Sequence, residues 1–323
     1  MFFSNIKKIH FFITILIPAG IAIGPAISDW IISLSGIFFL IISIKEKKWN
    51  YFNNFIFKGF IIWCIYLIFL SLFSKNYLLS LESSLFYFRF GIYSLSIWYL
   101  LDNFKNFKIF FYYFFLGIFF FVLFDAIIQF IVGINLLGFP DMDSNGNQRI
   151  SGIFGDEFVL GSFISRLLPI LVGIIFLNQI TKKPQILLIL FLIIFSNIIV
   201  YLSGERSAFF YSIISSLCII FFIIEGRIIK FLSISFSLII ITIISLNFNH
   251  GKERIFDLTL KQFNFFGTNI SNGIQQEGLN LFSIQHEVIY KTSLKIFNDN
   301  KFFGIGPKMF REICQNDKYY TYT

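Results

Sequence analysis

Nine apolar runs in succession constrain this chain more than any other feature. They lie at residues 9–25, 28–44, 56–74, 78–101, 109–134, 158–178, 185–203, 207–224 and 231–247. Runs of about 20 apolar residues are long enough to cross the hydrocarbon of a bilayer. No water is available there, so each backbone amide must bond within its own segment, and the runs predict helices. Composition agrees: 56% of residues are hydrophobic, 49 are Phe and only 14% are charged, whereas a soluble domain holds about 25% charged residues. One soluble core cannot hide that excess. The expected architecture is all-α, a polytopic transmembrane helix bundle over residues 1–247, followed by a polar helix-and-loop segment over residues 248–323.

The basic residues predict an orientation. Lys7, Lys8, Lys45, Lys47, Lys48, Lys105, Lys108, Lys182, Lys183, Arg227 and Lys230 all fall on one side when nine spans are threaded. The alternate short connections hold only Lys75, Arg149 and Arg206. By the positive-inside rule the first side is cytoplasmic, so the N-terminus is inside and residues 248–323 are outside. The net charge of +8 then reads as a topology signal and not as nucleic-acid binding. The first two spans read as a tight hairpin around Gly24, Pro25 and Asp29. No small-residue cleavage site follows the first, so it reads as a retained helix and not a signal peptide.

The inner connections are too short for a nucleotide-binding fold, and no GxxxxGK[ST] pattern occurs, which argues against a built-in ATP motor. Gly304 and Gly306 form a lone GxG with no preceding strand, so a dinucleotide fold is not indicated. Of the three cysteines, Cys64 and Cys218 lie in spans and read as packing residues. Cys314 stands alone in the outer segment, an odd exported cysteine whose partner, together with further helices, is expected beyond Thr323.

Charges inside the spans are costly and usually face the bundle with a partner. Glu82 and Arg89 share a helical face but stand about 10 Å apart along the axis. Asp125 and Gln129 share another face. These read either as polar glue between helices or as site residues. Arg166, about two turns into the sixth span, reads as lining a site at the outer end or as more glue.

The loop Asp141-Met142-Asp143-Ser144-Asn145-Gly146 begins like a calcium loop, but Gly152 stands where the bidentate Glu should be, so an acidic turn is expected. After it, Arg149-Ile150-Ser151-Gly152-Ile153-Phe154-Gly155-Asp156-Glu157 places an arginine, glycines and two carboxylates at the mouth of the sixth span. Asp156 and Glu157 suit a helix N-terminus and can serve as caps. Ser203-Gly204-Glu205-Arg206-Ser207-Ala208 is a turn that opens a helix. Free N–H groups beside a guanidinium suit a phosphate, though a snorkelling arginine accounts for it as well. In the outer segment a helix is expected over residues 250–263, a loop over 267–278, a helix over 282–297, a turn at Gly304-Ile305-Gly306-Pro307 and a helix from Lys308. His286 and Tyr290 share one face of the helix at 282–297, where a histidine can act as a base near neutral pH or be structural.

Taken in order, the Arg149–Asp156 motif, the Ser203–Ala208 turn, and an outer segment holding His286, Asn298-Asp299-Asn300 and Phe303-Gly304-Ile305-Gly306-Pro307 resemble the O-antigen ligase and polymerase family. The likeness covers essentially the whole chain through short motifs whose order and sidedness agree. It implies a bacterial inner-membrane glycosyltransferase that moves a glycan from a polyprenyl-diphosphate-linked donor at the periplasmic face. The acceptor is lipid A-core in ligases, or a lipid-linked repeat unit in polymerases. Residues matching Arg149 and Arg206 are the implied diphosphate and sugar binders. Arg166, Glu205, Asp156 and Arg311 join them in the candidate site, and His286 is the candidate catalytic base. The donor bond is already activated, so no nucleotide, redox cofactor or metal is implied. One departure stands out: the family's long loop usually continues to a His-Pro-His-Asn-like motif and further helices, and this sequence holds no such motif. The base is therefore expected either from His286 or from a histidine beyond Thr323. The competing reading is a transporter or flippase of lipid-linked oligosaccharides, which calls for charges through the full bilayer depth.

Overall fold

A computed structural model describes residues 2–142, 146, 148–177, 183–222, 227–247, 255, 270–271, 274–275 and 284–319. These are almost wholly helical. The helices are α1 (Phe2–Ile15), α2 (Ile17–Ile23), α3 (Pro25–Glu46), α4 (Phe55–Leu72), α5 (Tyr77–Ser84), α6 (Phe88–Asn103), α7 (Phe107–Val132), α8 (Leu160–Leu177), α9 (Lys183–Leu202), α10 (Arg206–Phe222), α11 (Arg227–Asn247), α12 (Ile284–Asp299) and α13 (Phe310–Ile313). Two short strands, Ile270–Ser271 and Ile274–Gln275, pair antiparallel. Most of the helix expected at residues 250–263, and Asp143 and Asn145 of the calcium-like loop, lie outside the described residues.

Among the described residues four helices are long and apolar enough to cross a membrane: α3, α4, α7 and Gln185–Leu202 of α9. The count becomes five if α1 and α2, bent by 45° at their break, form one span. Pro18 sits at the start of α2 and cannot donate to the turn before it, which accounts for the break. Nine separate spans are therefore more than length and composition support. The described apolar parts of α8, α10 and α11, Leu160–Phe176, Arg206–Ile219 and Ile234–Asn247, fall short of the roughly 30 Å hydrocarbon at about 1.5 Å per residue. The run at 78–101 is not one helix. It breaks between α5 and α6, where Tyr87, Arg89 and Phe90 donate to carbonyls three residues back. Ser84, at the end of α5, donates from its hydroxyl to the Ser80 carbonyl at 3.1 Å and lies 2.7 Å from Ser71 Oγ of α4, which ties α5 to α4.

The chain forms two compact units: Met1–Thr14, Asp29–Lys105 and Gln262–Thr323 in the first, Ile15–Ser28 and Asn106–Lys261 in the second. In the first unit only 11% of the apolar window of α4 is buried, with Phe55 90% and Ile56 83% exposed. An apolar helix left bare on most sides is what lipid covers. α6 meets α4 closely at Gly91, where a Cβ would lie 2.6 Å from the Phe60 ring. Arg89 pairs with Asp29 at 2.9 Å, and Glu82 lies 3.7 Å from Lys308. These two charges act as glue with separate partners and not as a pair.

A run of buried hydroxyls joins α1, α3 and α6, and the sequence reading missed it. Thr14 Oγ1 donates to the His10 carbonyl at 2.8 Å. Thr14 Oγ1 and Ser35 Oγ are 2.7 Å apart, Ser35 Oγ and Ser96 Oγ 2.8 Å, and Ser96 Oγ and His10 Nε2 2.6 Å. Each hydroxyl has one proton to give. Thr14 uses its proton on the carbonyl, so Ser35 donates to Thr14, Ser96 to Ser35, and His10 from Nε2 to Ser96. His10 is therefore the Nε2–H tautomer, with Nδ1 a buried acceptor that has no partner among the described residues. Nitrogen-15 shifts of His10 in labelled protein are expected to show a protonated Nε2 and a bare Nδ1. A protonated Nδ1 would contradict the donor order.

Candidate functional site

The candidate site grows from one end of the second unit. α8 buries Leu160, Ile164, Leu168, Leu171 and Ile175, a spacing that lines one helical face. Against it pack Phe119 and Leu123 of α7 and Leu192, Val200 and Tyr201 of α9. Gly161 of α8 faces Ser203 and Ala208, while Ser165 and Arg166 line one cleft with Tyr211 and Ser215. α8 and α10 therefore run parallel, their N-termini side by side.

The loop after α7 is held from beneath by two side chains of that helix. Gly133 ends α7 at φ 86°. The chain then folds back on itself: Ile134 bridges Pro140, Met142 bridges Gln148, and Arg149 N donates to the Asp141 carbonyl at 2.8 Å. Buried Gln129 accepts from the amides of Ser151 at 2.9 Å and Gly152 at 2.7 Å, and its own amide donates to the Pro140 carbonyl at 2.9 Å. Buried Asp125 accepts from the Leu136 amide at 2.9 Å, and Asn135 donates to the Gly152 carbonyl at 2.6 Å. Gly152 has φ 56°, and a Cβ there would meet Asp125 and Leu160 at 3.4 Å. Asp125 and Gln129 thus serve as anchors for the loop. A buried backbone group left without a partner costs about 1–3 kcal/mol, so satisfying several from one Gln makes this loop a fixed platform.

Two of the predicted site residues turn out to build the platform. Arg149 is 5% exposed. Its Nε donates to the Ser203 carbonyl at 3.0 Å, and its guanidinium carbon stacks 3.9 Å from the Phe158 ring centroid. It is a strut from the loop to the turn. Glu205 reaches the first turn of α8, accepting from Gly161 N at 2.6 Å, Ser162 N at 3.1 Å and Ser162 Oγ at 2.6 Å. It caps α8 from 44 residues away, where carboxylates are favoured by free N–H groups and the helix dipole. The local carboxylates expected in that role, Asp156 and Glu157, are exposed instead, because the helix begins only at Leu160.

Arg206 opens α10 and is half-buried, and Arg166 is exposed on α8. Arg149, Glu205, Arg206, Arg166 and Asp156 all belong to the second unit. His286 and Arg311 belong to the first and are exposed on α12 and α13. The His286 and Tyr290 rings face each other with centroids 6.3 Å apart. Within the first unit residues 284–319 are well tied. Asn76, the N-cap of α5, donates to Glu312 at 2.9 Å, and Gly306, at φ 88°, packs where a Cβ would lie 2.8 Å from Ser74. Lys318 lies 2.7 Å from Asp299, and its hydrogen bond holds that carboxyl below the usual carboxylate range. Among the described residues no three His, Cys or acidic side chains converge on one point. No family model, curated protein or solved structure matches the chain.

Proposed function

We propose that the chain is a bacterial inner-membrane glycosyltransferase of the O-antigen ligase and polymerase type. Its N-terminus is cytoplasmic, and its nine passages include the bent α1–α2 pair and the broken α5–α6 pair. Residues 248–323 lie at the periplasmic face. The donor is a polyprenyl-diphosphate-linked glycan, and the acceptor is lipid A-core or a lipid-linked repeat unit. The observation that carries the reading is the meeting of loop 149–155, the α8 N-terminus and turn 203–206 at one end of one helical unit.

In this reading Arg206 and Arg166 hold the donor diphosphate, and Arg149 reaches it through the turn that it braces. An acceptor hydroxyl attacks the anomeric carbon, and the bond from that carbon to the diphosphate oxygen breaks. The guanidinium groups stabilise the negative charge that builds on the leaving diphosphate, usually the largest catalytic term. A base takes the hydroxyl proton, the role for which His286 is the candidate in this sequence. In proteoliposomes given a polyprenyl-diphosphate-linked oligosaccharide and lipid A-core, glycosylated acceptor and free polyprenyl diphosphate are expected in equal amounts. Absence of both would overturn the proposal. A flippase of lipid-linked oligosaccharides is the second reading, and the exposed Arg166, within the length of α8, is the observation in its favour.

A further inference from the structure

α12 carries two apolar faces, and its packing within the first unit uses one of them. On the inner face Thr292 and Ile296 are buried, and Thr292 Oγ1 donates to the Tyr319 carbonyl at 3.4 Å. A second stripe holds His286, Tyr290, Ser293, Leu294 and Phe297, with Ile289 at its border. These recur at i, i+4, i+7, i+8 and i+11, so they lie along one side of the helix. Its apolar members are exposed, Leu294 by 61%. Ser293 adds little polarity, since its hydroxyl donates to the Ile289 carbonyl at 2.7 Å. Just past the helix come Phe302 and Phe303, 92% and 66% exposed. Lys291 and Lys295 are exposed on the remaining sector, and Lys301 is exposed beside Phe302. An apolar stripe backed by a charged sector is the pattern of a helix that lies in the interface of a bilayer. The ties of this segment put it at such a boundary. A Cβ on Gly306 would lie 2.8 Å from Ser74, and Asn76 donates to Glu312. Ser74 follows the last turn of α4, whose bare flanks lipid covers, so it marks the edge of the hydrocarbon. Phe303 is three residues from Gly306, within roughly 11 Å of it along the chain. Leu72 and Phe73 are exposed at that same edge.

We propose that α12 and the turn after it lie on the bilayer surface, with Leu294, Phe297, Phe302 and Phe303 seated between phospholipid headgroups and acyl chains. Lys301 reaches the phosphates beside them, as a long cationic side chain does at an interface. The occupant of the stripe is the phospholipid that already covers α4, because the stripe continues the exposed apolar surface at the end of that helix. The inference rests on the chain being a membrane protein and not on glycan transfer. A helix can lie on lipid in a protein that transfers nothing, and transfer can proceed with the stripe in water.

The test places photoreactive benzoylphenylalanine, one position at a time, at Leu294, Phe297 and Phe302 of the full chain. Lys295 serves as the control on the charged sector, and Ile62 of α4 as the control in lipid. Each replaced side chain is exposed, so the fold should survive, and an unchanged circular dichroism spectrum checks this. The protein is illuminated in vesicles of phosphatidylethanolamine and phosphatidylglycerol, without donor or acceptor, and adducts are identified by mass. Phospholipid adducts are expected at 294, 297 and 302, as at 62, in a yield at least about tenfold above that at 295, which faces the other way. Lipid adducts at 62 with none at 294, 297 and 302 would overturn the proposal. So would equal yields at 294, 297 and 295, or covalent dimers of the chain in place of lipid adducts, which would make the stripe a contact between copies.

Discussion

Arg206→Ala is expected to lose glycan transfer by about 10²- to 10³-fold, the scale seen when one donor to a developing oxyanion is removed. The protein should still insert and fold. Arg206 is the first residue of α10, where the backbone N–H groups of a first turn lack intrahelical acceptors and favour an anion. It is half-buried, so lost packing in Arg206→Ala is to be separated from lost chemistry by measuring the thermal unfolding of the variant beside its activity. Arg206→Lys should keep part of the activity, since an ammonium supplies charge but not the planar two-point grip. Measurement of glycosylated acceptor in membranes holding equal amounts of each variant checks both statements. Full activity in Arg206→Ala would remove the residue from the mechanism.

Gly161→Val is expected to damage the site through its frame and not its chemistry. A Cβ at Gly161 would stand 2.5 Å from Ser203 Oγ, 3.0 Å from Glu205 Oε1 and 3.2 Å from Ala208 Cβ. Glu205 Oε1 can swing away only by giving up the bonds that cap α8, and Ser203 Oγ only by giving up its bond to the Val200 carbonyl. The Ala208 Cβ cannot move without α10 itself. Overpacking costs about 1–3 kcal/mol, and a hydrogen bond to a charged group contributes about 1.5–3 kcal/mol, so a loss on the order of 3 kcal/mol is expected. Thermal unfolding in detergent should show a clear drop for Gly161→Val and a smaller one for Glu205→Gln. Adding Ala208→Gly to Gly161→Ala should recover part of the loss, since residues in contact couple. Equal unfolding temperatures for wild type and Gly161→Val would mean that α8 and the turn do not meet as described.

Much of the helical layout was legible because apolar length is a property of composition, and eight of the nine runs each correspond to a helix or the bent pair. The break at residues 85–87 was not legible. Leu85-Phe86-Tyr87-Phe88 is as apolar as its surroundings, and no turn residue marks the tighter i→i−3 bonding there. Motif reading found the segments of the candidate site but misassigned their internal work. Asp156 and Glu157 lie close to α8 in sequence, yet the cap is Glu205, and nothing local to Gly204-Glu205-Arg206 points across 44 residues. Arg149 stood out as a charge without an explanation, and its stacking on Phe158 and bond to Ser203 provide one. His10 passed unnoticed because one histidine in an apolar run carries no pattern. Its partners are three small hydroxyls, two of them on other helices, that only the packing brings together.

The central claim is bond formation at the outer face by Arg206 and its frame. The most direct test uses sealed proteoliposomes of known protein orientation, holding fluorescent polyprenyl-diphosphate-linked oligosaccharide and lipid A-core in both leaflets. The account predicts glycosylated lipid A-core in the leaflet facing residues 248–323 alone, with free polyprenyl diphosphate released beside it. Movement of intact donor from one leaflet to the other with no new glycosidic bond would contradict it and identify a flippase.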